Sequence, residues 1–312
     1  MSIVKTDVPI TAASCNEMIL KLVEAYPDCR SEVLTTTAFG RPIRTLVMGS
    51  GERKVLFSAA HHANEWITAL VLLKFAEDLL RAAQENGKLY GIRARTILKA
   101  ATIYMVPMMD PDGVDLVVGA IAPGTVEYEQ ARRLGDNYPQ IPFPTGWKAN
   151  LLGVDLNLQY PALWLRAREI KFAQGFTRPG PRDYVGRFPL SQLESRALAE
   201  LTRDLDPALV LAYHTQGKVI YWQFRDIPVP GARALAEEFA RLSGYALEEV
   251  PEESSYAGYK DWFIQTFRRP GFTIEVGSGE NPLPLSQFDE IYRDNLGILT
   301  TAALGLPEEG EL

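Results

Sequence analysis

The chain has 312 residues, 46% of them hydrophobic and 23% charged, with 32 basic against 39 acidic side chains and a formal net charge of −7. That composition excludes a disordered or collagen-like chain, and no apolar run reaches the ~18–20 residues of a membrane helix. An acidic chain without a basic stripe has no broad attraction for nucleic acid, so neither a nucleic-acid nor a membrane partner is expected.

In chain order, Ser14 and Glu17 have the spacing of a capping box and predict a helix over 14–26, closed by Pro27. Residues 44–48 and 54–60 read as apolar strands. Residues 66–83 carry Leu70, Leu73, Phe75, Ala76, Leu79 and Leu80 at helical spacing, with Gly87 beyond them. An apolar strand over 102–108 runs into Pro111-Asp112-Gly113. Ser191 and Glu194 suggest a second capping box, for a helix reaching 205, and 208–213 reads as a buried strand. A helix over 231–242, a strand over 272–276 and a closing helix over 286–304 complete the pattern, with Gly305 and Pro307 as stop signals. Apolar strands separated by helices imply an α/β fold with a mostly parallel sheet covered on both faces. No repeat or linker divides the chain, so 1–312 is expected to form a single catalytic domain. Two stretches break the alternation, 119–150 and 161–188, and loops of that length are ordinarily functional. Cys15 and Cys29 read as reduced structural thiols. The opening MSIVKTDVPITAAS has no signal-peptide pattern, which makes a cytoplasmic location the expectation.

The three histidines, His61, His62 and His214, all follow or end apolar strands, and Glu275 stands inside the strand 272–276. In open α/β sheets ligands sit outside the carboxyl ends of the strands. His62 and Glu65 are three residues apart at a strand-to-helix junction, so both side chains can reach one ion. His214 would be the distant third ligand of a catalytic zinc, which keeps one position for water. Glu275 suits the general base. Each feature has an ordinary alternative: H-x-x-E occurs by chance, a lone strand-end histidine is usually a core residue, and Arg268 and Arg269 are close enough in sequence to pair with Glu275. The joint placement favours the metal.

At this point the sequence resembles the zinc carboxypeptidases of the M14 metallopeptidase family. The matching residues are His62-Ala63-Asn64-Glu65, His214 and Phe272-Thr273-Ile274-Glu275. Pro111-Asp112-Gly113, Trp147-Lys148, Gly153-Val154-Asp155-Leu156-Asn157, Ser191 with Glu194, and Asp261-Trp262 follow in family order. The resemblance runs from about residue 39 to 304. It implies a mixed, roughly eight-stranded sheet flanked by helices, with one zinc per chain at its carboxyl edge. His62, Glu65 and His214 would hold the metal, and Glu275 and Lys148 would be catalytic, Lys148 standing where the family has an arginine. Asn157 and Tyr256 would contact substrate, with Tyr259 the alternative mobile-loop tyrosine.

The departures bear on the substrate. Leu158 follows Asn157 where the family's exopeptidases place an arginine that grips a terminal carboxylate, and leucine offers no such fork. Asn64 also replaces a common arginine. Together with Tyr256-Ala257-Gly258-Tyr259-Lys260-Asp261-Trp262, these changes resemble the bacterial γ-D-glutamyl-L-diamino acid endopeptidases. The implied reaction is cleavage between γ-D-glutamate and meso-diaminopimelate or lysine in murein stem peptides. Lys260 or loop arginines such as Arg166, Arg168, Arg178 and Arg182 would meet substrate carboxylates. No LysM wall-binding module is expected, which suggests muropeptide turnover inside the cell or in a forming spore. The rival readings are a conventional metallocarboxypeptidase with a relocated arginine, a zinc amidohydrolase of N-acyl amino acids, and an inactive binding module.

Overall fold

The apolar strands expected from the sequence form the centre of one eight-stranded sheet. The computed structural model describes residues 2–306, so the stop signal at Pro307 lies outside the described residues. The amino-terminal half runs through α1 (Ala12–Ala25), β1 (Cys29–Thr36), β2 (Pro42–Met48), β3 (Arg53–Ser58), α2 (Ile67–Gln84), the small ribbon β4 (Lys88–Leu89) and β5 (Ile92–Arg93), α3 (Ala94–Ala100), β6 (Ala101–Val106), α4 (Pro111–Val117) and α5 (Val126–Gly135). The remainder comprises α6 (Trp164–Ala173), α7 (Leu193–Leu205), β7 (Leu209–Thr215), β8 (Val219–Tyr221), α8 (Ala232–Ser243), β9 (Ala246–Leu247), α9 (Tyr259–Phe267), β10 (Gly271–Val276) and α10 (Phe288–Leu304).

The strand order is β1-β2-β6-β3-β7-β10-β8-β9. The central strands β6, β3, β7 and β10 are parallel. The β1–β2, β2–β6 and β10–β8 pairs are antiparallel, so the sheet is mixed. Alternation along each central strand divides the core in two. Val55, Phe57, Ile103, Met105, Leu211, Tyr213, Phe272 and Ile274 pack with α2, α8 and α10 on one face. Leu56, Val106, Val210 and Ala212 pack with Leu198, Tyr259, Trp262 and Phe263 on the other. Cys15 and Cys29 are buried free thiols. Among the described residues, no helix is long and apolar enough to cross a membrane.

Several local expectations are corrected. The first helix starts before Ser14. Thr11 is its N-cap, Ser14 N–H donates to Thr11 Oγ1 at 3.1 Å, and Ser14 Oγ accepts from Thr11 N–H at 2.9 Å. Ser14 is thus the reciprocal partner, and Glu17 instead pairs with Lys21 at 2.6 Å. Likewise Ser191 does not cap α7. Its hydroxyl donates to Gln159 Oε1 at 2.9 Å, and Glu194 accepts from Asn150 Nδ2 at 3.2 Å. Ser191 and Glu194 serve contacts with residues 32 and 44 positions away, which local spacing cannot reveal. The stretches 119–150 and 161–188 contain α5 and α6 rather than loop alone.

Candidate active site and metal centre

After β3 the chain turns sharply. Ala60 takes a left-handed conformation, φ +47°, uncommon for a residue with a side chain. The turn is held from both sides: Ala60 N–H donates to Thr68 Oγ1 at 3.0 Å, and its carbonyl accepts from Asp110 N–H at 3.0 Å. Gly113 explains part of the Pro111-Asp112-Gly113 motif. A Cβ there would lie 2.7 Å from both Ala63 Cβ and the Ala149 carbonyl oxygen, so only glycine lets α4 pack against the turn that carries His62 and Glu65.

His62 and Glu65 bracket the one-turn 3-10 helix Ala63–Glu65. His214 arrives from β7, in direct register with Glu275 of β10. One ligand atom each from His62, Glu65 and His214 lies within 4.8 Å of the others, and all three residues are buried. Glu65 Oε1 is 2.9 Å from His62 Nδ1, Glu65 Oε2 is 2.9 Å from His214 Nδ1, and the two Nδ1 atoms are 3.3 Å apart. Both Nδ1 atoms thus converge on the same carboxylate, one on each oxygen. Two imidazoles and a carboxylate are also a donor set that suits zinc. The residues therefore fit the metal. The other nitrogen of His62, Nε2, is 3.1 Å from Asp155 Oδ1, the carboxylate support expected behind a metal-binding histidine. Asp155 is fixed in turn by the backbone N–H groups of Asn157 and Asp183, at 3.0 and 3.3 Å.

The charges here are tightly coupled. Burial raises the Glu65 carboxyl, but His62, Lys148 and His214 outweigh it and hold the group well below the usual carboxylate range. Lys148 Nζ is 2.9 Å from Glu65 Oε1. Burial opposes the His62 cation, yet Glu65 and Asp155 raise its pKa to about 9. Burial, then the Glu65 charge, lift Glu275 to about 8. A divalent cation on Glu65 would act against that lift and favour the Glu275 carboxylate. Neither arginine considered as a partner reaches Glu275 in the hydrogen-bond pattern: Arg269 pairs with Asp206 at 2.7 Å, and Arg268 ends α9.

His62, Glu65, Lys148, His214 and Glu275 line one cavity of about 250 Å³, together with Asn157 and Leu158. A larger cleft of about 870 Å³ adjoins it, sharing Val250 and Asp261. Tyr256 faces that cleft. Its hydroxyl donates to Glu252 Oε1 at 2.7 Å and accepts from Arg225 Nη1 at 3.1 Å. Tyr259 is fully buried, with its hydroxyl 2.8 Å from Thr202 Oγ1. In this conformation neither phenol lines the cavity of the donor set. Of the loop arginines, Arg182 lines the cavity. Arg166 pairs with Glu169 and Glu252 at the surface, and Arg168 lies over the Trp164 and Phe172 rings. Three neighbours had no assigned role in the sequence. Asp155 sat within a recognised motif, so its position was visible though its contact was not. Lys171, 2.7 Å from Asp183, and Tyr221 carry no local signal.

The sequence matches the zinc carboxypeptidase family (Peptidase M14) over residues 15–297. It is 44% identical over 280 residues to "Gamma-D-glutamyl-L-diamino acid endopeptidase 1" of Lysinibacillus sphaericus, covering 90% of this chain and 68% of that protein. It is 37% identical over 286 residues to YqgT of Bacillus subtilis (strain 168), covering 91% of this chain and 74% of that one. The fold is similar to that of thrombin-activatable fibrinolysis inhibitor (TM-score 0.76, 17% identity, 97% of this chain and 76% of that chain). The mixed eight-stranded sheet, the buried His-Glu-His donors and these matches agree: the chain belongs to the zinc carboxypeptidase family and is a zinc metallopeptidase.

Proposed function

We propose that the protein hydrolyses the amide between γ-D-glutamate and a diamino acid, meso-diaminopimelate or lysine, in murein stem peptides. The observation that carries this reading is the convergence of His62, Glu65 and His214 beside Glu275 in a cavity where Leu158 offers no cation. The 44% identity to a γ-D-glutamyl-L-diamino acid endopeptidase supports the choice of bond. His62, Glu65 and His214 hold one zinc, which when bound supplies Lewis-acid polarisation and activates water.

Glu275 takes the proton of the attacking water and passes it to the leaving nitrogen. Its place on β10, in register with His214, keeps it beside the donors without making it one of them. Lys148 sets a positive charge where the oxyanion develops, as a point charge and not a planar fork. Asn157 Oδ1 accepts from Tyr259 N–H at 3.0 Å, which leaves its NH₂ group to donate to a carboxylate of the leaving diamino acid. Tyr256 contacts the part of the peptide that extends into the adjoining cleft.

Incubation of the zinc-loaded protein with L-Ala-γ-D-Glu-meso-diaminopimelate, followed by mass spectrometry, tests the reading. L-Ala-D-Glu and free diaminopimelate are expected; an intact peptide, or cleavage elsewhere, refutes it. A second reading, a conventional carboxypeptidase, draws on Arg182 in the same cavity. Rapid cleavage of N-blocked dipeptides would favour it.

A further inference from the structure

His61 is the histidine that the metal centre does not use. It stands in the turn after β3, next to His62, and is fully buried. Its ring lies between two others. It stacks on His214 with ring centroids 5.5 Å apart and planes at 22°, and on Tyr259 at 5.9 Å and 28°. Tyr160 meets it edge-on at 6.4 Å and 65°. A phenyl ring would fill the same stack without burying polar atoms, so packing alone does not require an imidazole. A neutral imidazole carries one N–H and one lone pair, and burying either one unpaired is costly. At His61, Nε2 is 3.5 Å from the Tyr160 hydroxyl, whereas Nδ1 has no hydrogen-bond partner among the described residues.

His214 has the complementary deficit. Its Nδ1 is the nitrogen turned toward the other donors, 2.9 Å from Glu65 Oε2 and 3.3 Å from His62 Nδ1. A nitrogen that gives its lone pair to a cation leaves the ring proton on the other nitrogen, so His214 Nε2 is an N–H donor. That atom is buried and has no partner among the described residues. His62 differs: Asp155 Oδ1 stands 3.1 Å from its outer nitrogen, the support a metal-binding imidazole ordinarily has. An unpaired donor on His214 thus accompanies an unpaired acceptor on the ring stacked against it.

We propose that His61 is the positioning residue of His214, as Asp155 is of His62. One buried water accepts from His214 Nε2–H and donates to His61 Nδ1. The two rings form no direct hydrogen bond, and a water between a buried donor and a buried acceptor satisfies both. His61 Nε2–H points to the Tyr160 hydroxyl and keeps the lone pair on Nδ1. The relay holds the His214 ring with Nδ1 toward the metal.

The test is the zinc affinity of folded His61→Phe and His61→Asn, read by competition with a chelator. Phenylalanine keeps the stacked ring but has no acceptor; asparagine has no ring but carries an oxygen near the Nδ1 position. His61→Phe should bind zinc about 10-fold more weakly than wild type, and His61→Asn should stay within about 3-fold of it. The opposite order, or wild-type affinity in both variants, would overturn the proposal, because packing would then be the whole role of His61. Should both variants misfold or lose zinc alike, a high-resolution crystal structure of the zinc-loaded wild type decides. A water within about 3.2 Å of both His214 Nε2 and His61 Nδ1 supports the relay; nitrogens without a shared water refute it.

Discussion

The two faces of β10 differ by one residue step and do different work. Phe272, Ile274 and Val276 point into the apolar cluster beneath α2, α8 and α10, whereas Thr273 and Glu275 line the cavity. The same division runs through β7, where Leu211 and Tyr213 join the apolar cluster and His214 joins the donors. The strand period of two lets one short segment serve as scaffold and chemistry at once, and it predicts that neighbouring substitutions fail in different ways.

The largest effect is expected at the donors. His214→Ala should abolish both turnover and stoichiometric zinc; retention of one zinc per chain, measured by atomic absorption, would break the assignment of His214. Glu275→Gln should keep zinc and an unchanged melting temperature while turnover falls ~100-fold or more. A variant with a tenth of wild-type rate would remove Glu275 from the role of base. Asp155→Asn should weaken zinc affinity about 10- to 100-fold, through His62, read by competition with a chelator. Ile274→Ala, one step from Glu275, should cost about 2–5 kcal/mol of stability in a denaturant titration. Its zinc stoichiometry at low denaturant should match wild type; a variant that folds normally but loses zinc would contradict the division of faces. Leu158→Arg, the mildest change, should raise the rate on peptides with a free C-terminal carboxylate several-fold. No gain would mean that another cation already meets that group.

The same physics separates what the sequence showed from what it hid. The central strands were legible because burial on both faces makes them continuous apolar runs, as in residues 209–213. The edge strand β1 was not, because Arg30, Glu32 and Val33 are largely exposed and its pattern is polar. Helix α6 was hidden for a related reason. Trp164, Ala167 and Lys171 are its buried positions, and a buried lysine beside Asp183 breaks the apolar stripe on which such expectations rest. At the site, the H-x-x-E spacing anticipated the proximity of His62 and Glu65, and strand-end placement anticipated the approach of His214. The contact of Asp155 with His62 spans 93 positions, and the Lys260–Asp261 pair depends on how α9 docks against the sheet. The first leaves no trace in local spacing; in the second the two residues adjoin in sequence, and only their burial beside the cavity was hidden. Tyr256 shows the limit of carrying a role along a motif: its hydroxyl is engaged by Glu252 and Arg225 in the neighbouring cleft.

A crystal grown with zinc and recorded at the zinc absorption edge examines the metal centre directly. The account predicts one anomalous peak per chain, bonded to Nδ1 of His62, Nδ1 of His214 and the Glu65 carboxylate, with Glu275 outside bonding distance. A peak bound elsewhere, or none at these three side chains, would contradict it.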